Sequence, residues 1–228
     1  MKVELLSYTP EAELLVAAAA RSCHSRKSAK DILSKMKPEK ARRLIRDLVR
    51  KGHTSVLEHA VFTFSIEGIS RVCTHQLVRH RIASYSQQSQ RHVKLTKSSF
   101  IVPPSIKSKP EARKLFDDVV STCLKAYEKL LDMGIPREDA RFLIPQAIET
   151  KIVVTMNARS LLNFFELRCC YRSQWEIRQL AWKMLELVKQ VAPTIFEKAG
   201  PPCISRGVCP EPEFECPLRS KLIEASSR

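Results

Sequence analysis

From Gly68 to Pro110 the chain carries no Asp or Glu, yet Arg71, Arg79, Arg81, Arg91, Lys94, Lys97, Lys107 and Lys109 all fall inside that stretch. A cation packed into a core without a close opposite charge loses its hydration and regains little, so it is not buried alone. These side chains must face water or an anion supplied from outside the segment, and the fold has to present the stretch rather than bury it. Planar guanidinium forks match phosphate oxygens, so an acid-free arginine cluster predicts a phosphate-rich ligand. Inside the segment, Arg79-His80-Arg81 is followed after seven residues by Ser89.

With 228 residues, 44% of them hydrophobic, the chain is long enough for one globular domain with a proper core. We expect a single catalytic domain over residues 1–200 and a Pro/Cys-rich tail over 201–228. A formal charge of +15 implies anionic partners. One reading is a basic nucleic-acid-binding protein using the 68–110 segment. Stacking on bases would need aromatics among the arginines, and that window offers only Tyr85 and Phe100. The short apolar run Leu14–Ala20 is preceded by Glu4, Glu11 and Glu13, the wrong flank for a secretory signal. No run of about 18 apolar residues predicts a membrane helix. A cytoplasmic protein with reduced thiols, and no membrane partner, is the expectation.

Val3–Tyr8 reads as a strand, followed by Thr9 and Pro10 as N-cap and first-turn proline of a helix through Ala20. Ser25–Lys30 reads as a polar loop. Pro38–Lys51 reads as a helix with Leu44, Ile45, Leu48 and Val49 on one face and Gly52 as its stop. His59–Ile66 alternates, with Phe62, Phe64 and Ile66 on one side of a half-buried strand. Ser70–Val78 reads as a short helix delivering Arg79, and the Ser/Gln run after Ala83 as a loop. Pro110–Met133 is the longest early helix, with Leu115, Val119, Leu124, Tyr127 and Leu131 at core spacing. Pro136–Leu143 carries Arg141, Thr150–Met156 is β-branched and strand-like, and Ala158–Cys170 and Gln174–Lys198 are helices. Strands and helices mix without regular parallel βαβ units, which favours α+β, a mixed or antiparallel sheet flanked by helices. Five glycines in the whole chain, with no Gly-rich phosphate loop, argue against a dinucleotide-binding βαβ domain.

Arg159 and Asn163 lie four apart on one helix and share a face, with Asn157 at its positive end. Arg168 is nine residues after Arg159, roughly half a turn away at about 100° per residue, and continues the stripe Leu161, Phe164, Phe165. A guanidinium on an apolar stripe needs an anionic or carbonyl partner. Pairing with Glu166 or Glu176 is the structural alternative to a ligand. Ser89 has no activating base at suitable spacing, so it reads as a hydrogen-bond donor to phosphate rather than a nucleophile. His53 and His59 flank Glu58, but six residues across a loop-to-strand junction is poor metal-ligand geometry.

Taken together, these stretches resemble the flavin-dependent thymidylate synthases: Arg79-His80-Arg81 with Ser89, Gly52-His53-Thr54-Ser55-Val56-Leu57-Glu58-His59, Asn157-Ala158-Arg159-Ser160 through Asn163 and Arg168, and Gln174-Trp175-Glu176-Ile177. The resemblance spans about residues 50–180. It implies the fold of the thymidylate synthase-complementing proteins, with active sites built between subunits of a homotetramer. It also implies conversion of dUMP to dTMP, with methylenetetrahydrofolate as carbon donor, reduced FAD as hydride donor and NADPH as electron source. By resemblance, Gln76, Arg79, Gln87, Gln88, Ser89, Gln90, Arg91, Arg141 and Arg168 contact dUMP. Likewise His53, Ser55, Arg79, His80, Arg81, Gln87, Asn157, Arg159 and Asn163 contact the flavin, and His53 lines the cleft shared with folate. Arg168 would be catalytic, stabilising negative charge at the uracil carbonyl and N3 edge. Two departures stand out, since some members carry Glu at the place of Gln87 and an aromatic is common at the place of His92.

After Gly200, Pro201, Pro202, Pro210, Pro212 and Pro217 exclude regular structure, so the tail needs some other tie. Cys203, Cys209 and Cys216 fall within it. They are a weak candidate metal site, completed by Cys169 or Cys170, with a disulfide or free thiols as the alternatives.

Overall fold

Alternating burial along β2 (Val61–Ser70) puts Phe62, Phe64 and Ile66 at 0% exposure. In the computed structural model, which describes residues 1–93, 99–214 and 216–218, this strand is second in a four-stranded antiparallel sheet. The others are β1 (Lys2–Tyr8), β3 (Ser84–Gln87) and β4 (Glu149–Asn157), in the order β1-β2-β4-β3. The helices are α1 (Ala12–Ser22), α2 (Ala29–Ser34), α3 (Pro38–Arg50), α4 (Arg71–Leu77), α5 (Pro104–Lys107), α6 (Pro110–Asp132), α7 (Arg137–Ala140), α8 (Ala158–Arg168), α9 (Trp175–Val191) and α10 (Pro202–Ser205). Among the described residues no helix is long and apolar enough to cross a membrane. Lys94 and Lys97 of the acid-free segment lie outside the described residues.

The chain divides into two compact units. The first comprises residues 1–2, 66–79 and 85–153, and its core gathers Ile66, Ile69, Cys73, Leu77, Tyr127, Ala140, Ile148 and Ile152. The second comprises residues 3–65, 80–84 and 154–228. Its core is aromatic: Phe62 packs edge-on against Phe196 at 5.5 Å, Phe165 meets Phe196 at 5.9 Å, and Phe164 meets Phe165 at 5.7 Å. Each such pair adds about 0.5–1.5 kcal/mol beyond its burial. The chain passes from one unit to the other within β2 and again within β4.

Several local expectations need correction. Thr9 caps no helix. Its backbone N–H donates to Val61 O at 3.0 Å while its Oγ1 accepts from Val61 N at 2.9 Å, so α1 begins two residues later behind Glu11 in a left-handed conformation. The Ser25–Lys30 loop gives way at Ala29 to α2, because the Ser28 hydroxyl accepts the Asp31 N–H and caps it. The Ser/Gln run expected as a loop is strand β3, and Gln88 N donates to Lys151 O at 3.0 Å just beyond it. Pairing with a neighbour overrides weak intrinsic strand preference. In α6 only Tyr127 is buried, and Leu115 and Val119 are 66% and 50% exposed. The tail contains α10, because Pro202 sits at the first helical position, where a missing N–H costs nothing.

Gly52 shows why that position is glycine. With φ at +76°, it lets its own N–H reach Val49 O at 3.1 Å and the His53 N–H reach Leu48 O at 2.9 Å. This paired closure satisfies the last carbonyls of α3 and fixes where the His53 loop begins.

Candidate functional site

In the first unit lie all the expected nucleotide contacts except Arg168. Ser70 caps α4, accepting the Cys73 N–H, and α4 delivers Gln76 half-buried and Arg79 exposed. Tyr85 donates to Leu77 O at 2.9 Å, fixing the end of this helix, and burial pushes its phenol up to about 12. Gln87 donates from Nε2 to Thr74 Oγ1 at 2.9 Å and to Thr150 Oγ1 at 3.4 Å. The amide therefore holds β3 against its surroundings, where a glutamate would instead accept from the same two hydroxyls.

The Ser89 hydroxyl accepts the Arg91 N–H at 3.1 Å, a local turn contact, and no His, Asp or Glu among the described residues hydrogen-bonds to it. Arg91 forms an exposed ion pair with Glu138, at 2.7 Å from Nε and 2.6 Å from Nη2. Arg141 donates from Nε to Glu138 O at 3.0 Å, and Arg137 donates to His92 O at 2.9 Å. One short helix, α7, thus supplies the acid that the segment lacks and ties the Ser89–His92 turn.

Arg71 belongs to the acid-free stretch but not to the expected nucleotide contacts, and it is half-buried. Its Nη2 donates to Gln88 O at 3.0 Å, while its Nε is buried with no partner among the described residues. Burial, and then the nearby Arg141, lower its affinity for the proton. The acid-free window was the available signal, but burial of one arginine beside another is visible only in three dimensions.

In the second unit, α8 is capped by Asn157, whose side chain accepts the Ser160 N–H at 2.9 Å. Arg159 and Asn163 are exposed on one face, and Arg159 pairs with Glu58 at 2.6 Å. His53, Ser55 and Arg81 are exposed in the same unit. The opposite face buries Leu161, Phe164 and Phe165, and Arg168 continues it half-buried.

Of the two acids offered as a structural alternative to a ligand for Arg168, Glu166 binds Arg206 instead, at 2.6 Å. Arg168 instead donates from Nε to His80 Nε2 at 3.0 Å, and the His80 ring stands edge-on to Phe164 at 4.9 Å. Burial, reinforced by the Arg168 charge, lowers His80 to about 4. At neutral pH His80 is therefore an uncharged acceptor, which places its proton on Nδ1. Held at Nε, the guanidinium keeps its orientation on an apolar wall.

A cleft of about 680 Å³ in the second unit is lined by Arg46, Arg50, Gly52, Thr54, Leu162 and Glu166 among others. Arg46 pairs with Glu197 and Arg50 with Asp47 along its wall, so these charges cancel locally. None of the expected flavin or nucleotide residues lines it.

A family model described as thymidylate synthase complementing protein matches residues 4–194. A flavin-dependent thymidylate synthase of Geobacter sulfurreducens is 52% identical over 218 residues, covering 95% of this chain and 94% of its own. Proteins of the same name from Clostridium tetani and Pyrococcus horikoshii are 47% and 48% identical, each over 95% of this chain and 93% of its own. The crystal structure of a UMP/dUMP methylase, PolB from Streptomyces cacaoi, bound with 5-Br dUMP, superposes with a TM-score of 0.78 at 26% identity, covering 86% of this chain and 93% of that one. With a family match across both units and half-identical relatives along nearly its full length, the chain belongs to the thymidylate synthase complementing protein family, the flavin-dependent thymidylate synthases.

Proposed function

We propose that the protein converts dUMP to dTMP in the cytoplasm as a homotetramer, with methylenetetrahydrofolate as carbon donor, FAD as cofactor and NADPH as the source of reducing equivalents. The observation that carries this reading is the anion deficit around Arg71. A half-buried guanidinium whose Nε has no partner among the described residues, near Arg141 and in a segment without acids of its own, calls for an anion. A nucleotide phosphate supplies it, with Ser89, Gln88 and Arg91 on the adjoining turn as further donors. Arg91 would exchange its exposed pair with Glu138 for the ligand at little cost, since exposed ion pairs contribute about 0–1 kcal/mol.

The donor set suits a flavin dinucleotide. His53, Ser55, Arg79, Arg81, Arg159 and Asn163 are polar and exposed, and guanidinium groups match a pyrophosphate. Asn157 keeps its amide N–H groups for a ligand while its oxygen caps α8. Bound and reduced, FAD supplies the hydride that the protein's own side chains cannot. Arg168 would act on the other reactant: its fork would donate to the uracil carbonyl and N3 edge and stabilise the negative charge that develops on that edge during turnover. His80 orients that fork without adding a charge of its own. Exposed Ile82, Leu115, Val119 and Phe142, the last 84% exposed, suit burial against further subunits.

Purified protein should be yellow, elute as a tetramer, and form dTMP only with dUMP, methylenetetrahydrofolate and a reductant present. Colourless protein that takes up no added FAD would overturn the reading, whereas an active monomer would remove only the tetramer. Ser89→Ala should leave dTMP formation measurable and raise KM for dUMP roughly fivefold, the scale of about 1 kcal/mol for one hydrogen bond. Abolished turnover with dUMP affinity unchanged would instead make Ser89 a nucleophile.

A further inference from the structure

The turn after α8 carries two adjacent cysteines with different fates. Cys169 is wholly buried, and burial pushes its thiol up to about 12. Its backbone carbonyl is held by the Trp182 indole at 3.1 Å, so the residue is part of the core. Cys170 is half-buried, and its charge bears on the Cys203 thiol of the tail.

The tail is held to α8 and to this turn by three contacts. Arg206, three residues after Cys203, pairs with Glu166 of α8 at 2.6 Å. Glu211, two residues after Cys209, pairs with Arg172. The Arg172 guanidinium also lies 5.5 Å from the Phe214 ring centroid, two residues before Cys216. Cys209 Sγ donates to Glu211 O at 3.4 Å. The tethers therefore fall between the tail cysteines and hold this stretch of the tail to α8 and to the turn that follows it. The thiol of Cys203 feels those of Cys216, Cys209 and Cys170, so the four sulfurs share one neighbourhood. All four are half-buried free thiols.

We propose that Cys170, Cys203, Cys209 and Cys216 bind one Zn²⁺ ion, which locks the tail onto the end of α8. Four thiolates are a common donor set for structural zinc. Among the described residues no three His, Cys, Asp or Glu side chains stand as a ready coordination shell, so the ion must draw the sulfurs in. Residues 207–214 carry no buried side chain, and Gly207 turns the chain at φ +72°, which leaves these residues free to adjust. Binding releases four protons, Zn²⁺ plus four thiols giving a tetrathiolate of charge −2, so affinity rises with pH. Arg172 and Arg206, already at the turn, offset that charge. The gain is anchorage: the segment buries too little apolar surface to hold itself, and the turn it grips follows directly on Arg168.

The test is metal analysis of the full-length protein purified without chelator from zinc-supplemented cells. About one zinc per chain is expected, with four of the eight thiols protected from a thiol reagent until a mercurial releases the metal. Cys203→Ser and Cys216→Ser should lose the zinc, while Cys23→Ser and Cys123→Ser should keep it. Cobalt substitution of the unaltered protein should give the intense visible and near-ultraviolet bands of a tetrahedral thiolate site, independently of how any variant folds. Absence of stoichiometric metal overturns the proposal, whether eight thiols titrate in the denatured, unreduced protein or fewer do because a disulfide has formed. Zinc retained after Cys203→Ser and Cys216→Ser overturns it equally.

Discussion

Replacing Arg168 with lysine should lower kcat for dTMP formation by roughly 30- to 1000-fold, the effect of removing one preorganised donor worth about 2–4 kcal/mol. The size follows from how the side chain is held. Its Nε donates to His80 Nε2 at 3.0 Å, and His80 is kept uncharged by burial and by the arginine itself. The guanidinium plane is therefore fixed before the ligand arrives, and its remaining donors form a fork of constant geometry. A lysine has one terminal nitrogen. It can satisfy His80 or the ligand, but it cannot hold the one while presenting a planar pair to the other. FAD content should be unchanged, because Arg159, Asn163 and Asn157 sit at the other face and start of α8. The KM for dUMP should change far less than kcat, since the interaction strengthens as charge develops. A kcat within threefold of the parent would show that Arg168 only binds, and loss of FAD would show that it braces the fold instead.

How much of this could be read from the chain depends on the range of the interaction. The alternation of Phe62, Phe64 and Ile66 is local, and it gave a strand with those three rings and chains wholly buried. The stripe Leu161, Phe164, Phe165, Arg168 is local too, and it located the arginine on the apolar side of α8. Its partner was not local: His80 lies 88 residues earlier, whereas the sequence offered Glu166 or Glu176 as the structural alternative to a ligand, Glu166 being the nearer. The tail removed that choice by supplying Arg206. β3 escaped for the opposite reason, since Ser84-Tyr85-Ser86-Gln87 has no apolar alternation and is a strand only through its neighbour. In α6 the period was right and the inference from it was not. Leu115 and Val119 repeat at core spacing but point to solvent in the single chain, and hydrophobic periodicity identifies a face without identifying what covers it. Arg71 illustrates the remaining gap, because an arginine in an acid-free window can be exposed or buried, and only packing decides.

Phe164→Ala should cost about 3–5 kcal/mol of stability, the range for truncating a buried aromatic. The ring is 0% exposed and touches two others: Phe165 at 5.7 Å in the core and His80 at 4.9 Å at the edge of the candidate site. Part of the loss is cavity, and part is electrostatic. With the ring gone, water reaches His80 and the burial that lowers it to about 4 is relieved. The folded value then moves back up toward the ordinary 6.5. In the parent the unfolded chain takes up this proton first, so the group makes stability fall as pH drops from about 6.5 to about 4, and is neutral to pH above 6.5. In the variant that window narrows, so this contribution to acid sensitivity shrinks even as total stability drops. Activity should move the other way. A protonated imidazole cannot accept from Arg168 and repels it, so dTMP formation by Phe164→Ala should fall off near pH 6 where the parent's does not. Urea denaturation at pH 7 and pH 5, read beside rates at the same two values, separates the two effects. A stability loss under about 1 kcal/mol, or an acid limb unmoved by the substitution, would mean that Phe164 does not control the protonation of His80.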